Sequence, residues 1–256
     1  MPGKKRITFL ASDAAAAQDA LARLTRRYGS APEEGAELIV ALGGDGFMLQ
    51  TLHAMERRDL PVYGMNCGTI GFLMNEYDED DLIGRTERAE ETVINPLKMR
   101  AESADGSVHE ALAINEVALL RAGPQAAKLQ ISVNGRVRMA ELVCDGALLS
   151  TAAGSTAYNY SAHGPILPIG AEVLALTAMA AFRPRRWRGA ILPTSATVRF
   201  DVLEADKRPV MADADSRSSV RDVLSVEIQS VPKLRHRLLF DPGHGLEERL
   251  TREQFI

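Results

Sequence analysis

The sequence predicts two domains: an α/β N-terminal domain, a parallel sheet with flanking helices over residues 1–95, then an all-β sandwich over 96–240. Up to about residue 95, apolar runs of strand length alternate with helix-compatible segments, the pattern of βα units. From Leu97 onward apolar residues alternate or form short runs, and turn signals come often, as at Asp105-Gly106 and Asn134-Gly135. A length of 256 residues accommodates two domains of ordinary size.

Ile7–Ala11 is expected as the first strand. The Ala-rich stretch Asp13–Tyr28 follows as a helix, with Asp13 as its N-cap and Gly29 as its C-terminal stop. No GxGxxG joins the two, which argues against a Rossmann dinucleotide fold. Leu38–Leu42 is the second strand and Phe47–Arg57 the second helix. Between them, Gly43-Gly44-Asp45-Gly46 sets one carboxylate in a glycine-lined turn at a strand's carboxyl end, where open α/β sheets place ligands. Glycines let backbone approach a phosphate, and a helix N-terminus offers unpaired N–H groups. A carboxylate there repels a bare phosphate unless a cation or a hydroxyl substrate stands between, so the turn points to phosphoryl transfer. The plainer alternative is a tight turn with Asp45 capping the helix. Val62–Met65 is the third strand, and its exit loop, Asn66–Phe72, again sets glycines past a strand end. Two such loops would face each other across a crevice. The acidic run Asp78–Glu91 reads as a solvated helix face.

In the second domain, Asn134-Gly135 between QISV and RVRM is a strong hairpin signal. Further strands are expected at Ala196–Leu203, Val223–Ile228 and Leu234–Phe240, and the charged tail 241–256 is expected to pack back on the α/β domain. Asn115-Glu116 interrupts the apolar stretch Ala111–Leu120. Adjacent strand residues point to opposite faces, so one of the pair would be driven toward the core, where an unpaired Glu is costly. A position at the sheet's rim or at a bulge, facing the cleft between the domains, avoids this; an ordinary edge strand is the alternative. Asp145–Pro168 carries a dense run of small hydroxylated residues around Gly154, a surface suited to adenine or ribose, and enters a short helix with Ser155 as its cap. A plain connecting loop is the alternative. No GxSxG supports serine-hydrolase chemistry.

With 46% hydrophobic and 25% charged residues the composition is that of a soluble globular protein, and a net charge of -4 gives no global pull toward nucleic acid or anionic membrane. Cys67 and Cys144 form no CxxC unit, so neither a disulfide framework nor a zinc site is indicated. The apolar stretch near the N-terminus is too short for a signal peptide, and Val173–Phe182 is about half a membrane span, so a cytoplasmic protein is expected. Arg183–Trp187 reads as a solvated loop before a nucleic-acid site. His163, within the hydroxyl-rich loop, is a candidate ligand contact; His53 reads as structural, and no histidine shows metal-ligand spacing.

Taken together, these residues resemble the NAD kinase family. Its motifs run here in order as Gly43-Gly44-Asp45-Gly46, Gly68…Gly71-Phe72-Leu73, Asn115-Glu116, and Asp145-Gly146 with Thr151…Gly154-Ser155-Thr156-Ala157-Tyr158…Ser161…Gly164-Pro165-Ile166. The first is shared with lipid kinases and phosphofructokinases, whereas the set is far more specific. The resemblance implies phosphorylation of NAD on the 2′-hydroxyl of its adenosine ribose by ATP with Mg²⁺ or another divalent metal, giving NADP at an active site between the domains. Asp45 would lie against that hydroxyl, Gly44 and Gly46 would face the donor's phosphates, and Asn115 with Glu116 would hold the ribose hydroxyls. Phe72, Thr156, Ala157, Tyr158 and Ser161 would line the adenine pocket, and Asp145 would reach the nicotinamide end. The resemblance assigns no metal ligand and implies a homo-oligomer, dimer or tetramer, assembled through the β domains, with neither nucleic acid nor membrane as partner. Departures are Phe47 in place of a small hydroxyl residue, Cys144 in place of a frequent glycine, the basic stretch Phe182–Pro193, and Asp213-Ala214-Asp215-Ser216 in place of an Asp-Gly hairpin. A lipid or sphingoid kinase sharing the glycine-Asp turn and a non-catalytic nucleotide-binding regulator are the competing readings.

Overall fold

A computed structural model describes residues 5–56, 58–68, 71–168 and 171–243. The chain divides into two compact units, Met1–Ile94 with Leu234–Ile256, and Asn95–Lys233.

The first unit contains β1 (Ile7–Ala11), α1 (Ala15–Tyr28), β2 (Leu38–Gly43), α2 (Asp45–Ala54), β3 (Pro61–Asn66), β4 (Asn75–Glu76), α3 (Leu82–Arg88) and β5 (Glu90–Ile94). Its sheet runs β1-β2-β3, then a strand at His236–Phe240, then β5, with β4 also on β3. All pairings are parallel except that of β5. LIVALG of β2 is buried throughout, as a central parallel strand must be. Ala17, Ala20 and Leu24 recur at helical spacing on α1 and pack on Phe9, Val40 and Met65 of the sheet.

Three local expectations change. Asp13 does not cap α1: Ala14 is the N-cap, without a side-chain cap bond, and its carbonyl takes the N–H groups of Ala17 and Gln18. Gly29, at φ +76°, does end the helix. The acidic run divides, α3 taking Leu82–Arg88 and β5 taking Glu90 and Glu91, where Glu91 pairs with Arg237 at 2.6 Å. The strand at His236–Phe240 belongs to this unit and not to the sandwich, because it pairs with β3 and β5. Leu238 and Phe240 are fully buried there, which suits a strand inside a helix-covered sheet. The expected docking of the tail falls on residues beyond 243 and lies outside the described residues.

The second unit contains β6 (Leu97–Ser103), β7 (Val108–Ala113), β8 (Glu116–Arg121), β9 (Ala127–Val133), β10 (Arg136–Cys144), β11 (Gly146–Ser150), α4 (Tyr158–Ser161), β12 (Val173–Met179), β13 (Gly189–Pro193), β14 (Val198–Val202), β15 (Val210–Ala214), β16 (Ser218–Val220) and β17 (Val223–Ser230). They form two six-stranded antiparallel sheets, β10-β9-β14-β17-β6-β7 and β13-β12-β11-β8-β15-β16, the architecture of a β-sandwich. Their facing side chains, among them Leu119, Leu129, Leu149, Phe200 and Val226, make one core. Trp187 is half-buried and packs against that core. Among the described residues no helix is long and apolar enough to cross a membrane.

Asn134 and Gly135 both take positive φ, the geometry of the expected hairpin turn. The β15–β16 hairpin forms without glycine, with Asp215 at φ +53° and Ser216 at φ +55°. A left-handed residue other than glycine is held against its steric preference. Ser216→Gly is therefore expected to raise stability by roughly 0.5–1 kcal/mol, read as a higher urea midpoint; an unchanged or lower midpoint would show the turn to be unstrained.

Candidate active site

In the first unit the GGDG turn is the junction of β2 and α2. Gly44 holds the N-cap position of α2, whose first residue is Asp45. Its carboxylate turns to the loop after β3, where Oδ2 accepts the Phe72 N–H at 2.7 Å and Oδ1 the Leu73 N–H at 3.0 Å. A Cβ on Gly71 would stand 2.3 Å from Asp45 Oδ1, so only glycine admits this approach. The Cys67 N–H donates to the Gly43 carbonyl at 2.8 Å, joining the two glycine loops again. Instead of facing across an open crevice, the loops are thus bridged by Asp45 itself. Two amide donors fix the carboxylate's direction and leave it lone pairs for a further donor.

Gly44 and Gly46 behave differently from Gly71. A Cβ built on either meets nothing among the described residues within 4 Å, and neither has a positive φ. The fold does not require glycine there, and bare backbone faces open space beside an α-helix N-terminus, the setting that receives phosphate. Phe47 fills the space beside Gly43, whose Cβ would stand 2.8 Å from the Phe47 Cβ.

In the second unit Asn115 and Glu116 lie at the corner where the chain leaves β7 in one sheet for β8 in the other. Asn115 Oδ1 and Glu116 Oε2 are buried and have no hydrogen-bond partner among the described residues. Such acceptors are costly unless something supplies donors. Burial first, and then the nearby Asp215 and Asp213 charges, push the Glu116 carboxyl up to about 8, against the pull of the Tyr158 N–H that it accepts.

The sign of that shift gives a test. The folded value lies above the ordinary carboxylate range, so ionising Glu116 opposes folding, by nothing in mild acid and increasingly as pH rises toward 8. The effect is at most about 1.4 kcal/mol per pH unit in that window. Glu116→Gln is therefore expected to stabilise the unliganded protein progressively between pH 5 and 8. Thermal melts across that range check it; a constant difference between variant and parent would refute the shift.

The hydroxyl-rich segment backs onto this corner. Gly154 packs so closely that a Cβ would stand 2.3 Å from the Asn115 carbonyl oxygen. Thr151 Oγ1 donates to the Ile114 carbonyl and accepts the Gly154 N–H. Ser155 is not the cap of α4. It is fully buried, donating to the Ala152 carbonyl and accepting the Leu167 N–H, which closes the loop on itself. Asn159 is the second pin: its Nδ2 donates to the carbonyls of Ser155 and Pro165, and its Oδ1 accepts from Thr177 Oγ1. Held from below, the segment leaves Thr156 and Ala157 half-buried and Tyr158 and Ser161 exposed.

Asp145 is not gathered with them. Glu116 is opposite Ser150 at one end of β11, while Asp145 precedes the other end, roughly 16 Å away at strand rise, and pairs with Arg121 at 2.7 Å. His163 is exposed and borders a cavity of about 390 Å³ with Arg188 and Ile191. Among the described residues no three His, Cys, Asp or Glu side chains lie together as a metal site would need.

An α/β unit with a glycine-Asp turn at a strand's carboxyl end, together with a β-sandwich unit, defines the class by architecture, and comparison with known proteins narrows it. The ATP-NAD kinase N-terminal domain model matches residues 4–91, and the ATP-NAD kinase C-terminal domain model matches residues 114–233. The chain is 69% identical over 252 residues to the NAD kinase of Cereibacter sphaeroides, covering 98% of this chain and 99% of that one. To the NAD kinase of Caulobacter vibrioides it is 58% identical over 254 residues, 99% and 97% of the two chains. The chain belongs to the NAD kinase family. Its fold matches the crystal structure of yeast NADH kinase complexed with NADH at a TM-score of 0.83 and 19% identity, over 98% of this chain and 87% of that one. An NAD kinase from Archaeoglobus fulgidus in complex with ATP matches at 0.77 and 23% identity, over 98% and 97%.

Proposed function

We propose that this chain transfers the γ-phosphoryl group of ATP to the 2′-hydroxyl of NAD's adenosine ribose, giving NADP. Family membership supports the reaction, and the hold of the Phe72 and Leu73 amides on Asp45 is the observation that carries the residue assignment. Asp45 accepts the hydroxyl proton as the oxygen attacks phosphorus. The bond to ADP breaks, and ADP leaves with its electron pair. A secondary hydroxyl is a poor nucleophile, and an oriented carboxylate answers that need. The regulator reading requires Asp45 to be only a helix cap, whereas Gly44 holds the cap position and the Asp45 carboxylate accepts from Phe72 and Leu73.

Gly44 and Gly46 leave room for the donor's phosphates. Asn115 Oδ1 and Glu116 Oε2 are acceptors awaiting donors, which ribose hydroxyls supply. Thr156, Ala157, Tyr158 and Ser161 of the second unit are assigned to the adenine, as is Phe72 of the first, and Asp145 is assigned to the nicotinamide end. A divalent cation neutralises phosphate charge when bound. Mg²⁺ keeps its waters and binds through substrate phosphates, so a cation carried in on ATP would ask few ligands of the chain. On the sandwich, Ile191 on edge strand β13 and Phe182 before it are 58% and 57% exposed, which supports a homo-oligomer, dimer or tetramer, formed through this unit; the reaction is assigned to the cytoplasm. Purified protein with NAD, ATP and Mg²⁺ is expected to form a product that an NADP-specific dehydrogenase reduces; no such product at micromolar enzyme would overturn the proposal.

A further inference from the structure

We infer that Asp215, in the β15–β16 hairpin, is the positioning residue that aims Asn115 and Glu116 at the substrate's ribose. The inference rests on the reading of that pair as the ribose-holding site.

The chain between β7 and β8 crosses from one sheet to the other, and at this corner three consecutive backbone N–H groups, those of Ile114, Asn115 and Glu116, turn to one side chain. Asp215 collects all three: Oδ2 accepts from Ile114 at 2.5 Å, and Oδ1 from Asn115 at 2.9 Å and Glu116 at 3.1 Å. Successive amides converging on one carboxylate form an anion nest, with a side chain of the same chain as the anion. The Asp215 N–H returns the contact, donating to the Glu116 carbonyl at 3.2 Å. Asp215 is 7% exposed, so these are shielded, charge-assisted bonds.

From the other side, the Asn115 carbonyl accepts from the Thr151 N–H at 2.9 Å and from Ser150 Oγ at 3.2 Å. The Asn115 backbone is clamped on both flanks while its side-chain oxygen, like Glu116 Oε2, has no partner among the described residues. An arrangement that spends a buried carboxylate on backbone and leaves neighbouring side chains unsatisfied is a mount for those side chains.

Asp215 also sets charge. Glu116 is faced by Asp215 from the hairpin, by Asp213 from β15, and by the N–H and phenol of Tyr158 from α4. The Asp215 carboxylate reinforces burial in keeping a proton on Glu116. A scaffold residue without this role would not move the pH at which Glu116 titrates.

The experiment compares Asp215→Asn, Asp215→Ala and Glu116→Gln by steady-state kinetics with NAD and ATP between pH 6 and 9. Both Asp215 variants are expected to raise KM for NAD by roughly 10–100-fold, with KM for ATP unchanged and kcat falling less. In Asp215→Asn the pH dependence of KM for NAD is also expected to move toward acid by roughly one unit. Asp215→Asn retains shape and one acceptor, and decides the matter where the alanine variant does not fold. If Glu116→Gln raises KM for NAD and Asp215→Asn shifts neither KM nor its pH profile, the positioning role is wrong and the ribose-holding reading stands. If Glu116→Gln leaves KM for NAD within twofold, that reading itself falls, and this inference with it.

Discussion

Replacing Asp45 with asparagine is expected to lower kcat for NAD phosphorylation by about 10²–10⁴-fold, the usual worth of a positioned general base. KM for NAD is expected to change little, because a general base acts only as the hydroxyl reacts. The substitution also places an amide NH₂ where one carboxylate oxygen now accepts the Phe72 or Leu73 N–H, so two donors face each other. That local conflict costs roughly 1–3 kcal/mol of stability, which a melting curve records separately from the kinetics. Asp45→Asn with kcat within threefold of the parent would remove Asp45 from the chemistry.

The second large effect is structural. Arg85 on α3 reaches Asp241, just past the last strand, with Nη2 at 2.5 Å from Oδ2 and Nε at 3.3 Å from Oδ1. The same guanidinium donates to the carbonyls of Glu76 and Asp78 and lies 5.6 Å from the Tyr63 ring, whose hydroxyl donates to Asp241 at 2.6 Å. Both charged side chains are largely buried, 13% and 16% exposed. Asn75 adds to the clasp, taking the Asp241 N–H and donating to the Gly64 and Leu239 carbonyls, across two neighbouring strands. Arg85→Ala leaves the Asp241 carboxylate without this cation and is expected to cost about 3–5 kcal/mol, lowering Tm by roughly 10 °C. Arg85→Lys keeps the charge but loses the planar fork, and should recover only part. A Tm within 2 °C of the parent for Arg85→Ala would show that the last strand holds without the clasp.

What the sequence reveals follows from the range of the forces involved. Strand β2, helix α1 and the Asn134-Gly135 hairpin rest on local signals, namely apolar periodicity, a terminating glycine and a turn dipeptide, and all are legible residue by residue. The strand at His236–Phe240 is legible as a strand but not as a member of the first sheet, since that membership depends on pairing with residues about 175 positions away. The glycine-Asp turn is legible as a candidate ligand position. That Asp45 is held by two amides 27 and 28 residues downstream needs coordinates. Asn115 and Glu116 betray themselves as polar residues in an apolar stretch, while Asp215, about 100 residues on, reads only as a glycine missing from a hairpin. Asn159 and Ser155 look like any polar loop residues. Their full burial and bonding, which fix the shape of the hydroxyl-rich loop, have no local signature.

The central claim is that the carboxylate in the glycine turn meets one particular hydroxyl. Phosphorus NMR of the product formed from NAD, set beside the rate with an NAD analogue lacking only the adenosine 2′-hydroxyl, tests it most directly. A 2′-phosphomonoester from NAD and no phosphoryl transfer to the analogue are the expected results. Phosphate on the 3′-hydroxyl, or turnover of the analogue at a comparable rate, would contradict it.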